Sequence, residues 1–167
     1  MKKILIVIAP ENFRDEEYIE PKKIFEDRGF EIKTASLKAG EATGMFGAKV
    51  KIDLLISEVN SDEFSAVVFV GGRGMAKLTA NREFIDLAQK FYQAGKLTTA
   101  ICVAPAILAN AGILKNKKAT SWPDVKDELT KGGADYTGRD VEIDGGIITG
   151  NGPQAAGKFG ETTANAV

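Results

Sequence analysis

The chain has 167 residues, with 22 Lys and Arg against 23 Asp and Glu, one Cys, one Trp and no His. That length suits a single domain over residues 1–167, and a net charge of −1 provides no field for steering onto nucleic acid or anionic lipid. Without His there is no Ser-His-Asp or Cys-His pair and no His-ligated metal. A single Cys excludes an intrachain disulfide, a Cys-x-x-Cys couple and an iron–sulfur site.

The chain opens with Met1-Lys2-Lys3 and an apolar run, Ile4–Ala9. Pro10-Glu11 ends that run where a signal peptide would need a small-residue cleavage site, so Lys3–Ala9 reads as a strand covered on both faces. Glu17–Arg28 follows as a helix with Ile19, Ile24 and Phe25 on one face and Gly29 as its stop. Phe30–Ser36 alternates as a second strand, completing a βαβ unit. Leu37–Gly47 is glycine-rich and reads as a loop, and Val50–Ile56 as a short strand.

Ala66–Val70 is a third apolar strand that runs straight into Gly71-Gly72. Asn81 is placed to cap a helix carrying Phe84, Ile85, Leu87, Ala88, Phe91 and Tyr92, stopped by Gly95. Leu97–Leu114 carries no charge and just reaches the roughly 18 residues of a membrane-helix candidate. Its composition changes midway, so a buried strand, Leu97–Ile101, turning into a helix, Val103–Ala111, explains it better. Pro123 opens a further helix ended by Gly132-Gly133. Asp140–Thr149 alternates around Asp144-Gly145-Gly146, a hairpin signal, and Pro153–Val167 reads as a terminal helix.

Alternating strands and helices predict an α/β domain with a mostly parallel sheet, which binds ligands beyond the carboxyl ends of its strands. The loops after Ala9, Val70 and Ile101 are therefore the candidates for chemistry. Two phosphate-loop patterns fail. Gly72-x-Gly74 lacks the third glycine, because residue 77 is Lys, and Gly152-x-x-x-x-Gly157-Lys158 ends in Phe159 where magnesium binding needs Ser or Thr. Asp15, Glu16 and Glu17 read as a solvated acidic first turn, with a divalent cation site as the alternative.

Cys102 is the most informative residue. A lone Cys in an apolar segment is commonly a small buried hydrophobe. This one sits where a strand gives way to a helix between the small residues Ala100 and Ala104, the layout of a nucleophile elbow. A thiol at a helix N-terminus is expected to have a lowered pKa, and the unpaired N–H groups there can hold an oxyanion.

In these segments the sequence resembles the superfamily of the PfpI intracellular protease and the Parkinson-associated protein DJ-1, within the class I glutamine amidotransferase-like proteins. The likeness is carried by Phe13-Arg-Asp-Glu-Glu17-Tyr-Ile-Glu-Pro21, Val68-Phe-Val-Gly-Gly72-Arg73 and Ala100-Ile-Cys102-Val-Ala-Pro105. Thr120-Ser-Trp-Pro123, Asp144-Gly145 and Gly152-Pro153 continue it nearly end to end.

The resemblance implies a flavodoxin-like three-layer αβα sandwich with a small β-hairpin. It implies Cys102 as nucleophile, Glu17 as the carboxylic acid bonded to its sulfur, and Gly72 and Val103 as backbone oxyanion donors. Gly71, Arg73, Trp122, Asn151 and Pro153 are expected to line the site, with no metal and no cofactor. A Glu17 aimed at the sulfur would stay protonated and donate to the thiolate.

Two departures bear on activity. The protease-like branch has His after the nucleophile and a Glu shortly after Gly-Gly-Arg, and here those positions are Val103 and Ala76. Trp122 likewise stands where DJ-1-like members often carry His. The expectation is therefore a Cys–Glu enzyme acting on small carbonyl substrates, glyoxalase- or deglycase-like, rather than a peptidase. The alternatives are a redox-sensing or stress-protective protein with an oxidisable cysteine, and an inert relative whose thiol merely packs. The resemblance also implies a homodimer or higher homo-oligomer in the cytoplasm, with no nucleic-acid partner and no membrane association.

Overall fold

The computed structural model describes residues 1–167. In chain order its strands are β1 (Lys3–Val7), β2 (Glu11–Phe13), β3 (Glu31–Ser36), β4 (Glu41–Gly44), β5 (Lys49–Lys51), β6 (Leu54–Leu55), β7 (Ala66–Phe69), β8 (Leu97–Ile101), β9 (Lys118–Ala119), β10 (Asp135–Tyr136), β11 (Val141–Asp144) and β12 (Ile147–Gly150). Its α-helices are α1 (Asp15–Asp27), α2 (Arg73–Ala76), α3 (Arg82–Gln93), α4 (Pro105–Asn110), α5 (Lys126–Lys131) and α6 (Ala156–Ala166).

Seven strands form the central sheet in the order β11-β12-β8-β7-β1-β3-β6. All neighbours are parallel except β11 and β12, the hairpin read from Asp144-Gly145-Gly146, whose second strand joins β8. Its turn needs a left-handed residue, and Gly145 supplies it with φ of +59°. α1 and α6 pack together on one face, and α3 and α4 pair on the other, as a flavodoxin-like α/β sandwich requires. Gly160 of α6 makes the first contact close, since a Cβ there would lie 3.0 Å from Pro21 Cα.

The core is the sheet itself. Ile4–Val7, Ala66–Phe69 and Ala100–Ile101 are fully buried, which is why these strands read as unbroken apolar runs. Asn81 caps α3 by accepting the Glu83 N–H at 2.9 Å.

Three sequence expectations change. The Leu37–Gly47 loop contains β4, and the Val50–Ile56 strand divides into β5, β6 and a 3₁₀ turn over Ile56–Glu58. β2, β4 and β5 form a separate three-stranded sheet, and β9 and β10 a two-stranded one. The third change concerns α4, which starts at Pro105 rather than Val103. Proline is preorganised for the first helical position, and the three residues before it form a turn.

The order of the sheet fixes where a site can lie. β1 is flanked by β3 on one side and β7 on the other, so the winding direction reverses there. The crevice at such a reversal opens beyond the carboxyl ends of the strands. Register places Val7, Phe69 and Ala100 side by side across the sheet. The chain leaving β1, β7 and β8 therefore emerges at one level.

Candidate active site

Cys102 follows directly after β8 with φ of +67°, a left-handed conformation that is unusual for a side-chain-bearing residue. Both of its backbone polar groups are held, since its N–H donates to Gly150 O at 2.9 Å and its carbonyl accepts the Trp122 N–H at 2.7 Å. The conformation is thus over-determined by its neighbours, as strained backbone at functional elbows is. Cys102 is 7% exposed and lines a cavity of about 320 Å3.

The acidic triplet is not a solvated turn. Its three carboxylates point three ways, and no group of three His, Cys, Asp or Glu comes together as metal ligands would. Asp15 is buried and accepts the Phe46 and Ala48 N–H groups at 2.9 Å each, holding the β4–β5 turn. Glu16 accepts from the Arg14 Nε. Glu17 is fully buried, and its Oε2 accepts the Gly71 N–H at 2.9 Å. Glu17 Oε1 has no hydrogen-bond partner among the oxygen and nitrogen atoms of the protein.

Burial raises the Glu17 pKa to about 7, against the lowering effects of the Cys102 thiol, the Gly71 amide and the Arg14 charge. The Cys102 thiol is also pushed up, first by burial and then by the Glu17 charge and its hydrogen bond, while the Gly72 and Val103 N–H groups pull it down. This reverses the lowered thiol pKa expected from the sequence, for two reasons. The helix begins three residues past the sulfur, and the carboxylate beside the sulfur is ionised more readily than the thiol. A buried pair of this kind titrates as a unit, and the shared proton favours sulfur over carboxylate.

The lining of the cavity comprises Arg14, Met45, Gly72, Arg73, Ala76, Cys102, Val103, Trp122, Asp124 and Pro153. The structure therefore gathers Gly72, Arg73, Val103, Trp122 and Pro153 around one cavity with Cys102. Gly71 and Glu17 lie beneath the sulfur. Asn151 faces an adjoining cleft with Trp122 and Pro153, and its backbone N–H donates to Asp140 O at 2.9 Å. Arg14, Met45 and Asp124 were not singled out by the sequence. Arg14 sits inside the acidic motif, so its proximity to Glu17 was the available signal. Met45 is brought over the site only by the β4–β5 turn, which left no local signature. A larger cavity of about 520 Å3 lies between α1 and the strands β3 and β5, lined by Tyr18, Lys22 and Thr34 among others, and Cys102 is not part of its lining. No helix is long and apolar enough to cross a membrane.

Comparisons with known proteins identify the family and the fold. The model of the DJ-1/PfpI family matches residues 2–166. Deglycase PfpI of Pyrococcus furiosus is 38% identical over 151 residues, 90% of this chain and 90% of that protein. An uncharacterized protein of Methanocaldococcus jannaschii is 44% identical over 168 residues, covering 99% of this chain and 82% of its own. Among solved structures, a ThiJ/PfpI domain protein from Brachyspira murdochii superposes with a TM-score of 0.96 at 38% identity, over 99% of this chain and 97% of that one. Drosophila melanogaster DJ-1beta gives 0.90 at 28% identity, over 99% and 89%. The chain belongs to the DJ-1/PfpI family.

Proposed function

We propose that this member of the DJ-1/PfpI family is a cofactor-independent enzyme that converts small α-oxoaldehydes to 2-hydroxy acids through Cys102 and Glu17. One observation carries the reading: a fully buried carboxyl with a pKa near 7 lies against the only thiol, at the floor of an open cavity. Burial at this cost to the charged form is what tunes a carboxylate for proton transfer near neutrality. The deglycase name of the Pyrococcus relatives favours carbonyl chemistry. Val103 and Ala76, in place of the protease-like branch's His and Glu, argue against a peptidase.

The pKa order inverts the roles expected from the sequence. Glu17 acts first as a base rather than as a standing acid. It takes the thiol proton as Sγ bonds to the aldehyde carbon, while the Gly72 and Val103 N–H groups hold the developing oxyanion. Glu17 then returns that proton to the oxygen, giving a neutral hemithioacetal. The regenerated carboxylate carries the proton of the aldehyde carbon to the neighbouring carbonyl carbon, and the hydroxyl proton passes to that carbonyl's oxygen. The aldehyde carbon is oxidised and its neighbour reduced, so no external electron acceptor is needed. Water cleaves the resulting thioester, releasing the acid and restoring the thiol.

The test is methylglyoxal consumption by the wild type, Cys102→Ser and Glu17→Gln proteins. Turnover by the wild type that both substitutions abolish is the expected result, and a rate unchanged in Cys102→Ser overturns the reading. The buried Oε1 of Glu17, with no oxygen or nitrogen partner, favours one second reading. Protonated, it could donate to a sulfinate oxygen on Cys102 and stabilise an oxidised sensor state. Selective gain of two oxygens at Cys102 after mild peroxide, with no carbonyl turnover, would favour that reading.

A further inference from the structure

The cavity over Cys102 holds more room and more organised positive charge than a minimal oxoaldehyde uses. Its volume of about 320 Å3 corresponds to about ten waters at ~30 Å3 each. Two arginines line it, Arg14 and Arg73, against a single acid, Asp124. Neither Arg73 nor Asp124 takes part in an ion pair within the protein.

Arg14 is held at three points. Its backbone N–H donates to Gly71 O at 3.0 Å, which ties its Cα to the floor of the site. Its guanidinium carbon stacks 4.8 Å above the centroid of the Phe46 ring, and its Nε donates to Glu16. Phe46 is itself fixed, through its N–H, by the buried Asp15 carboxylate. The two terminal nitrogens, Nη1 and Nη2, donate to nothing in the protein. The Arg14 side chain is 29% exposed, so it is partly shielded yet reachable from the cavity.

A planar guanidinium whose Nε edge is occupied presents its remaining donors as a fork that matches a carboxylate. Because stacking and the Glu16 bond already order the side chain, little rotamer freedom is lost when an anion binds. Glu16 orients this cation without filling its fork. Arg73, unpaired and on the same cavity wall lining, adds a second positive charge. A neutral aldehyde gains nothing from either.

We propose that Arg14, assisted by Arg73, forms a carboxylate-recognition site, and that the substrate is an α-oxoaldehyde bearing a carboxylate, of the type OHC–CO–CH2–CH2–COO⁻. The aldehyde carbon sits at Cys102 Sγ with its oxygen toward the Gly72 and Val103 amides, and the far carboxylate sits on the Arg14 fork. The product is then a 2-hydroxy dicarboxylate. The reacting end of this assignment rests on the carbonyl chemistry proposed above, whereas the anion site stands on the arginine geometry alone.

Trp122, the only tryptophan, lines the cavity and reports on its contents. Its fluorescence is titrated with 4-oxopentanoate, a keto acid lacking the reactive aldehyde, and with the methyl ester of the same compound. The acid is expected to saturate the signal at concentrations about tenfold or more below the ester, the ratio that loss of a charge-assisted hydrogen bond implies. The preference should fall to about twofold or less in Arg14→Gln, with intermediate values in Arg14→Lys and Arg73→Gln. Equal responses to acid and ester, no response to the acid, or a preference that survives Arg14→Gln overturns the site. Should Arg14→Gln fail to fold, a preference unchanged in both Arg14→Lys and Arg73→Gln does so.

Turnover of 4,5-dioxopentanoate and methylglyoxal by the wild-type protein separates the two claims. Acid preference in binding with no turnover of either compound keeps the anion site and removes the reaction. Turnover of both with equal kcat/KM, and no acid preference in binding, keeps the reaction and removes the anion site.

Discussion

Glu17 Oε2 accepts the Gly71 N–H at 2.9 Å, and a Cβ added to Gly71 would lie 2.8 Å from that same oxygen and 2.6 Å from Cys102 Cβ. Gly71 is thus the spacer that lets a buried carboxyl lie against a thiol. Its backbone is not left-handed, so the demand for glycine here is steric rather than conformational. Both contacts are shorter than real Cβ contacts allow, and neither neighbour has a free route away. Gly71→Ala should cost about 1–3 kcal/mol in urea unfolding through overpacking. It should also lower carbonyl turnover about a hundredfold, because an ångström of misplacement is enough to do so. Near-normal turnover in this variant would mean that the Glu17–Cys102 spacing does not govern the chemistry.

The same burial gives a signature in stability. Glu17 has a folded pKa of about 7 against 4.5 for the free group, so the folded state binds its proton more tightly than the unfolded chain does. The stabilisation linked to that proton is complete below about pH 4.5 and is lost as pH rises through about 7. At 1.36 kcal/mol per unit this amounts to about 3 kcal/mol. Glu17→Gln cannot lose a proton, so its unfolding free energy should exceed that of the wild type by about this amount at pH 8 and converge toward it near pH 4.5. Parallel profiles for the two proteins would contradict the buried, protonatable carboxyl.

Rate should follow the same ionisation with the opposite sense. Glu17 must be a carboxylate to accept the thiol proton, so kcat/KM should rise with pH through about 7 and then level, because the thiol itself is pushed higher. In Glu17→Gln that rise should vanish. Removing the negative charge should also lower the Cys102 thiol pKa, since the Glu17 charge and hydrogen bond are both among its raising influences. Iodoacetamide labelling against pH reads this directly. A thiol that labels identically in both proteins would show that the two groups do not interact.

The alternation of apolar strands with one-sided helices was legible because parallel strands must be apolar throughout. Leu97–Ile101 is a strand over the very residues its pattern marked, and Asn81 caps as its side chain suggests. What escaped is held by long-range contacts. β2, β4 and β5 are three or four residues each and partly exposed, so they carry no periodicity and owe their existence to pairing with one another. The start of α4 was misread because Val103 and Ala104 look helical, while Pro105 fixes the first turn. Within the site, Cys102 was readable from its position between strand and helix. The burial of Glu17 was not, since an acidic triplet ordinarily faces water, and Arg14 gained meaning only once Phe46 was folded back over it.

That fold-back depends on Asp15, which gives a last prediction. Its two carboxylate oxygens each take one backbone N–H, Oδ1 from Phe46 and Oδ2 from Ala48. Gly44 packs so tightly on the carboxyl that a Cβ there would lie 2.5 Å from Oδ1. Asp15→Asn keeps the shape but replaces one acceptor with an NH2 that faces an N–H donor. One partly buried amide is left without its protein partner, at a cost of about 1 kcal/mol, the low end of the penalty for an unsatisfied donor. The damage should concentrate in the turn that carries Met45 and Phe46. Hydrogen exchange at the Phe46 and Ala48 amides should therefore accelerate more than exchange in β7 or β8. Because Phe46 supports the Arg14 guanidinium, the preference for 4-oxopentanoate over its ester should weaken, although Asp15 itself does not line the cavity. Exchange that speeds up uniformly across the sheet would instead make Asp15 a general stabilising residue with no particular hold on the turn.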